Sequence, residues 1–212
     1  MRFVILFLGA LVLAMGFYLT GRRESAALVR MQPPASEVSS APGALQKYWP
    51  VPEFSLQDRT GRPVTLGDLK GKVWAADFFY ASCPGPCPMI SSSLAEVQKS
   101  LGKAADVRLV SISTDPINDT PDALEAYAKR FHADDRWYFL TGDKEQLYKL
   151  ANQGFKLSVT ENPAAVGERI IHSTRVALVD RQGFVRGFYD GTDAEAIHRL
   201  TKDIGTLLGE TP

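Results

Sequence analysis

The sequence predicts an α/β domain in which a mostly parallel sheet lies between helices. Three observations carry that prediction. Val73 to Tyr80 is apolar at every position except Asp77, the pattern of a strand covered on both faces. Runs of this kind alternate with stretches of helical spacing in the order βα, βα, βα, ββα, which favours parallel pairing in one α/β sandwich. The 212 residues suffice for one full core with appendages and are tight for two domains.

Taken in order, the chain opens on Phe3 to Leu19, an almost unbroken apolar run with no charge, flanked by Arg2 on one side and Arg22-Arg23 on the other. Such a run suits a single membrane-anchor helix over residues 1–22. The stretch Leu13-Ala14-Met15-Gly16-Phe17 is a poor cleavage site, so an uncleaved anchor is favoured over a signal peptide. Residues 23–47 are rich in Pro, Ser and Ala without apolar periodicity and read as a flexible linker. The folded domain is expected over 48–212. Lys plus Arg and Asp plus Glu balance at 24 each, so no positive field points to a nucleic-acid partner.

Phe54 and Leu56 alternate with polar residues, Asp58-Arg59-Thr60-Gly61-Arg62 makes a turn, and Val64 to Leu66 resumes, which is an N-terminal β-hairpin. After the strand at Val73 to Tyr80, the positions Ile90, Leu94, Val97 and Leu101 recur at helical spacing, with Gly102 as a stop. A strand follows at Val107 to Ser113, then a turn at Thr114-Asp115-Pro116. Thr120 caps a helix from Pro121 to Phe131. Trp137 to Leu140 is the next strand. It leads into a helix with Leu147, Leu150 and Ala151 inward, closed by Gly154. A loop at Thr160 to Glu168 reaches His172 at the start of a further strand. Val176 to Val179 and Phe184 to Tyr189 form a closing hairpin, and Thr192 with Glu195 is a capping-box pair opening the last helix.

Both cysteines of the chain fall in Ala81-Ser82-Cys83-Pro84-Gly85-Pro86-Cys87-Pro88, between the apolar strand and its helix. Two thiols that close can form a disulfide or share one soft metal ion. As a staple the pair would be weak, because closing so short a loop restricts the unfolded chain by only about 2 kcal/mol. Three prolines and a glycine leave few side chains to cover the sulfurs, which are therefore expected to be reachable from solvent. Cys87 lies at a helix start, where the partial positive charge is expected to stabilise a thiolate and lower its pKa. His132, in a polar stretch, and His198, flanking an apolar helix face, read as surface residues.

These residues resemble the Sco/SenC copper proteins, which assist cytochrome c oxidase assembly and share the thioredoxin-like fold. The resemblance covers about Phe54 to Leu208. It rests on Cys83-Pro84-Gly85-Pro86-Cys87-Pro88, on His172-Ser173-Thr174, on Ser111-Ile112-Ser113-Thr114-Asp115-Pro116 with Asp119-Thr120-Pro121, and on Leu140-Thr141-Gly142. It implies a thioredoxin-like three-layer sandwich with the β-hairpin as an N-terminal extension. Copper would be held by Cys83, Cys87 and His172, with Asp115 supporting the site. Two thiolates and an imidazole favour Cu(I) over Cu(II). Structural zinc would need a fourth ligand that no second cysteine pair supplies.

The resemblance further implies cytochrome c oxidase subunit II as the receiving partner and an upstream periplasmic copper donor or thiol reductant. It also places the anchor in a bacterial inner membrane with the domain on the periplasmic side. Two features depart from a simple match. Asp77 stands where Sco proteins usually carry an apolar residue and thioredoxins an acid, and a buried carboxyl there can shuttle a proton in thiol exchange. Conversely, Ile170 to Arg175 lacks the proline that thioredoxin-like oxidoreductases place before the later strand. The expected function is a copper metallochaperone and no enzyme. The alternative is a thiol-disulfide oxidoreductase using Cys83 and Cys87 with Asp77, and a redox or copper sensor would use the same ligands. The core acid Asp77 could also simply be satisfied by one hydrogen bond or a nearby lysine.

Overall fold

Every residue of Val73–Phe79 (β3) is buried, which a strand tolerates only inside a sheet covered on both faces. The computed structural model describes residues 45–161 and 170–210, and in it β3 lies inside a seven-stranded sheet. The other strands are Ser55–Asp58 (β1), Pro63–Thr65 (β2), Val107–Ser113 (β4), Trp137–Thr141 (β5), Arg175–Val179 (β8) and Val185–Asp190 (β9). Their order across the sheet is β2-β1-β5-β4-β3-β8-β9. β3, β4 and β5 run parallel, while β8, β9, β1 and β2 join antiparallel. Val159–Glu161 (β6) and Ile170–His172 (β7) form a separate two-stranded ladder at the two ends of the stretch read as a loop, Thr160 to Glu168.

The first hairpin forms as expected and extends the sheet beyond β5. Asp58 shapes its turn, its Oδ1 accepting from the N–H groups of Thr60 and Arg62. The second strand of the hairpin ends at Thr65, one residue before the expected Leu66. Asp68 accepts from both the N–H and the hydroxyl of Thr65, which turns Leu66–Leu69 into a short helix (α1).

Cys87–Ser100 (α2), Pro121–Arg130 (α3) and Ala194–Gly209 (α5) cover one face of the sheet. α2 packs on α5, and Ser91 of α2 bonds Tyr127 of α3. On the opposite face, Lys144–Lys149 (α4) continues as a π-helical segment, Leu150–Phe155, whose Phe155 meets Trp74 and Phe78 of β3 edge-on. Gly154 therefore does not close α4; Lys156, in the left-handed conformation, does. Nor does Thr192 cap α5. Its hydroxyl is taken by Asp190, and Asp193 accepts from Glu195 N–H at the helix start.

The chain ahead of β1 lies along β9, with Tyr48 N–H donating to Val185 O and Val185 N–H to Trp49 O. The buried Arg186 of β9 bonds Leu45 O, Gln46 O, Asp180 and Glu210, so it holds both the entry and the exit of the domain. The anchor expected over 1–22 and nearly all of the linker expected over 23–47 lie outside the described residues. Among the described residues no helix is long and apolar enough to cross a membrane.

Candidate metal centre

β3 delivers the chain to the cysteine loop at Ala81. The loop ends where the fixed φ of Pro86 and the missing N–H of Pro88 suit a helix start, so α2 opens on Cys87. Two backbone bonds shape the entry: Cys83 N–H donates to Tyr80 O at 3.1 Å, and Ala81 N–H donates to the carboxylate of Asp119 at 3.1 and 3.3 Å. Ser113 Oγ–H, from the end of β4, donates to the same carboxylate at 2.6 Å. One buried aspartate thus ties the cysteine loop to the neighbouring strand.

His172 arrives on β7 and ends that strand instead of beginning one. Its Nε2 lies 3.0 Å from Cys87 Sγ, and its Nδ1 lies 3.1 Å from Ser173 O. A carbonyl oxygen only accepts, so Nδ1 carries the proton and Nε2 turns its lone pair toward the sulfurs. One donor atom each from Cys83, Cys87 and His172 falls within 4.8 Å of the others. Three donors bonded to one ion at roughly 2.0–2.3 Å would stand about 3.5–4 Å apart, so closing on a soft ion takes only a small contraction. Gly191 helps seat the histidine segment. Its N–H donates to Thr174 O at 2.9 Å, and a Cβ there would meet Ile90 of α2 at 2.9 Å.

The two thiols differ, and Cys87 does not show the lowering expected of a helix start. The Cys83 thiol is drawn down to about 4, chiefly by a hydrogen bond from Cys87, against the cost of burial and with help from His172 and the N–H groups of Cys87 and Gly85. The first N–H of the helix, that of Cys87, therefore serves the sulfur ahead of it. Cys87 is pushed up, because its proton is held by Cys83 and its surroundings are buried. Burial opposes charge on His172, but the Cys83 thiolate and the Ser173 carbonyl outweigh it and raise its pKa. Neither sulfur is open to solvent as expected: Cys83 is 6% exposed and Cys87 0%. The outer surface of the loop is taken by Ser82, Pro84 and Gly85, and the Tyr80 ring meets the imidazole edge-on at 5.8 Å.

Asp77 is fully enclosed behind this cluster. Its register partner Ser111 donates to Oδ1 at 2.6 Å, and Trp137 Nε1–H donates to Ser111 Oγ at 2.9 Å. Oδ2 has no hydrogen-bond partner among the described residues. Burial raises the Asp77 carboxyl to about 6, against the Ser111 bond and the attraction of His172. Of the two structural readings, the hydrogen bond is found, and among the described residues no lysine is paired with Asp77.

Asp115, expected to support the site, instead accepts from Asn118 Nδ2 at 2.7 Å at the surface of its turn. The carboxylate that reaches the cysteine loop is Asp119, whose buried carboxyl is raised to about 6 by desolvation despite Ser113 and Ala81. No sequence signal separated the two, since both sit in one polar turn. Ser91 and Tyr127, hydroxyl to hydroxyl at 2.9 Å, were equally invisible. His132 and His198 are exposed and stand apart from the cluster, as read.

Residues 44–209 match the SCO1/SenC family profile. The chain is 32% identical over 157 residues to the SCO1 protein homolog of Bacillus subtilis, covering 73% of this chain and 80% of that protein. Among solved structures it is similar to a SCO1/SenC family lipoprotein from Bacillus anthracis, at 33% identity and TM-score 0.72, covering 78% of this chain and 99% of the other. It is also similar to Bradyrhizobium japonicum ScoI, solved with copper bound, at 28% identity and TM-score 0.62, covering 73% and 99%.

Proposed function

Since the chain belongs to the SCO1/SenC family, we propose that it carries one copper ion on Cys83 Sγ, Cys87 Sγ and His172 Nε2. The ion would be delivered to the binuclear copper centre of cytochrome c oxidase subunit II. The convergence of these three donors within 4.8 Å is the observation that carries the reading. The set is soft and three-membered, which suits Cu(I) and falls short of the four ligands of a closed zinc site. Holding Nδ1 on the Ser173 carbonyl orients the ring and keeps Nε2 available. Loading requires Cys87 to give up its proton, so uptake releases acid. A disulfide between the two sulfurs would leave no thiolate to bind, so in an oxidising compartment the protein needs a thiol reductant before its copper donor.

The reading is tested by anaerobic Cu(I) titration of the reduced chain, followed by mixing with the copper-free soluble domain of the oxidase subunit. One equivalent bound and then transferred is expected. Wild-type affinity in His172→Ala would refute the assignment.

A second reading, thiol-disulfide exchange on the same oxidase subunit, draws support from the buried carboxyl of Asp77 behind the thiols. It requires exchange that is fast without copper, survives in His172→Ala and collapses in Asp77→Asn. The domain would work from an anchor at 1–22 and a tether at 23–47, on the periplasmic face of a bacterial inner membrane. Release of the chain from membranes by alkaline carbonate would contradict that placement.

A further inference from the structure

On the sheet face opposite α2, residues 49–54 and the helical turn that follows α4 enclose a cleft of about 500 Å³. Small-ligand sites occupy roughly 300–1,000 Å³. Three irregularities of the backbone meet there. The turn Leu150–Phe155 is π-helical, a rare geometry that recurs at functional sites. Lys156, at its end, holds φ 57°, a left-handed conformation that glycine adopts freely and a lysine adopts at a cost. Gly154 lets Pro52 approach so closely that a Cβ would meet it at 3.0 Å, and the Trp49 indole N–H locks onto Gly154 O at 2.7 Å.

The lining has two chemistries. Trp49, Pro50, Pro52 and Leu150 make an apolar wall, while the exposed Lys149 and Lys156 stand at the rim. Among the described residues neither lysine is in an ion pair, and the carboxylate at the rim, Glu53, is engaged by Lys70 at 3.4 Å. A site with a fixed indole wall and two uncompensated cations complements a flat or acyl body that ends in an anion.

We propose that this cleft binds a small anionic amphiphile, an aromatic or acyl body bearing a carboxylate or phosphate. The test is titration of the full-length chain with sodium 2-naphthoate, read at the Trp49 indole N–H resonance. A saturable shift is expected. It should weaken about tenfold or more in Lys149→Glu/Lys156→Glu and for uncharged 2-naphthylmethanol, while His172→Ala, a change at the metal cluster, leaves it intact. Both lysines are exposed, so their reversal does not threaten folding. Displacement of naphthoate by phosphatidylglycerol vesicles, and not by phosphatidylcholine vesicles, would assign the natural ligand to a lipid; no displacement would assign it to a soluble anion, and either outcome upholds the site. A shift that never saturates, or one indifferent to reversal of both lysines, would overturn the proposal.

Discussion

The sulfur wall and the imidazole wall of the candidate metal centre are built to different standards. Cys83 follows β3, a strand paired on both sides inside the seven-stranded sheet, Cys87 opens α2, and the loop between strand and helix is tied down by Asp119. His172 rides on a ladder of only two strands and three residue pairs, outside that sheet. Side chains and short backbone links hold the ladder in place: Asn152 gives and receives one bond each with Val159, the residue paired with His172, and Ser173 N–H donates to Ser158 O. The difference teaches that the histidine is the ligand whose position costs least to change. A site that must surrender its ion gains from having one such ligand.

The comparison is broken most completely by removing the sulfurs. Cys83→Ser or Cys87→Ser is expected to abolish stoichiometric Cu(I) binding in a competition titration. His172→Ala should leave the thiols intact and weaken binding by more than the ~10–100-fold typical of losing an outer partner.

The next largest effect concerns the sulfur wall alone. Asp119→Ala strands the Ala81 N–H and the Ser113 hydroxyl, and should cost about 1–3 kcal/mol in urea unfolding together with weaker copper binding. Asp115→Asn is the matched control and should change neither, since that carboxylate contacts the surface Asn118.

A pH dependence sharpens the contrast from beneath the cysteines. Asp77 and Asp119 bind their protons more tightly folded than unfolded, both being raised from 3.8 to about 6. They therefore favour folding below the ordinary carboxyl range, and this contribution is lost as pH climbs through about 6. Asp77→Asn should thus leave stability unchanged near pH 4 and raise it by roughly 1–3 kcal/mol near pH 8 in paired denaturation curves. A larger gain at the acid end would contradict the assignment.

The smallest effect is expected on the imidazole wall. Asn152→Ala removes two hydrogen bonds to Val159 and should lower copper affinity several-fold, with a global stability loss of only about 1 kcal/mol. A stability loss like that of Asp119→Ala would show both walls to be equally rigid.

What could be read in the sequence follows from which interactions are periodic. The apolar run of β3, the helical spacing of Ile90, Leu94 and Val97, and the turn at Asp58 are local patterns, and all fold as read. Cys83, Cys87 and His172 were legible through motif and family resemblance. Spacing alone could not bring a residue 85 positions away to within 3.0 Å of Cys87. The failures are tertiary. Asp119 and Asp115 look alike until folding turns one toward Ala81. The solvent access expected of the sulfurs was inferred from loop composition, whereas the fold buries both. A lowered pKa for Cys87 was read from helix position, but the N–H of Cys87 serves the Cys83 sulfur instead. Gly154 resembled a helix stop, yet its carbonyl is claimed by Trp49 from 105 positions away.

The clasp at Arg186 has a mechanical consequence. Because one buried guanidinium grips Leu45 O, Gln46 O and Glu210 together, tension applied along the chain ahead of Leu45 is resisted on β9. Load would pass into the last helix before it reached the cysteine loop. Single-molecule pulling from the amino end should accordingly yield first at that clasp.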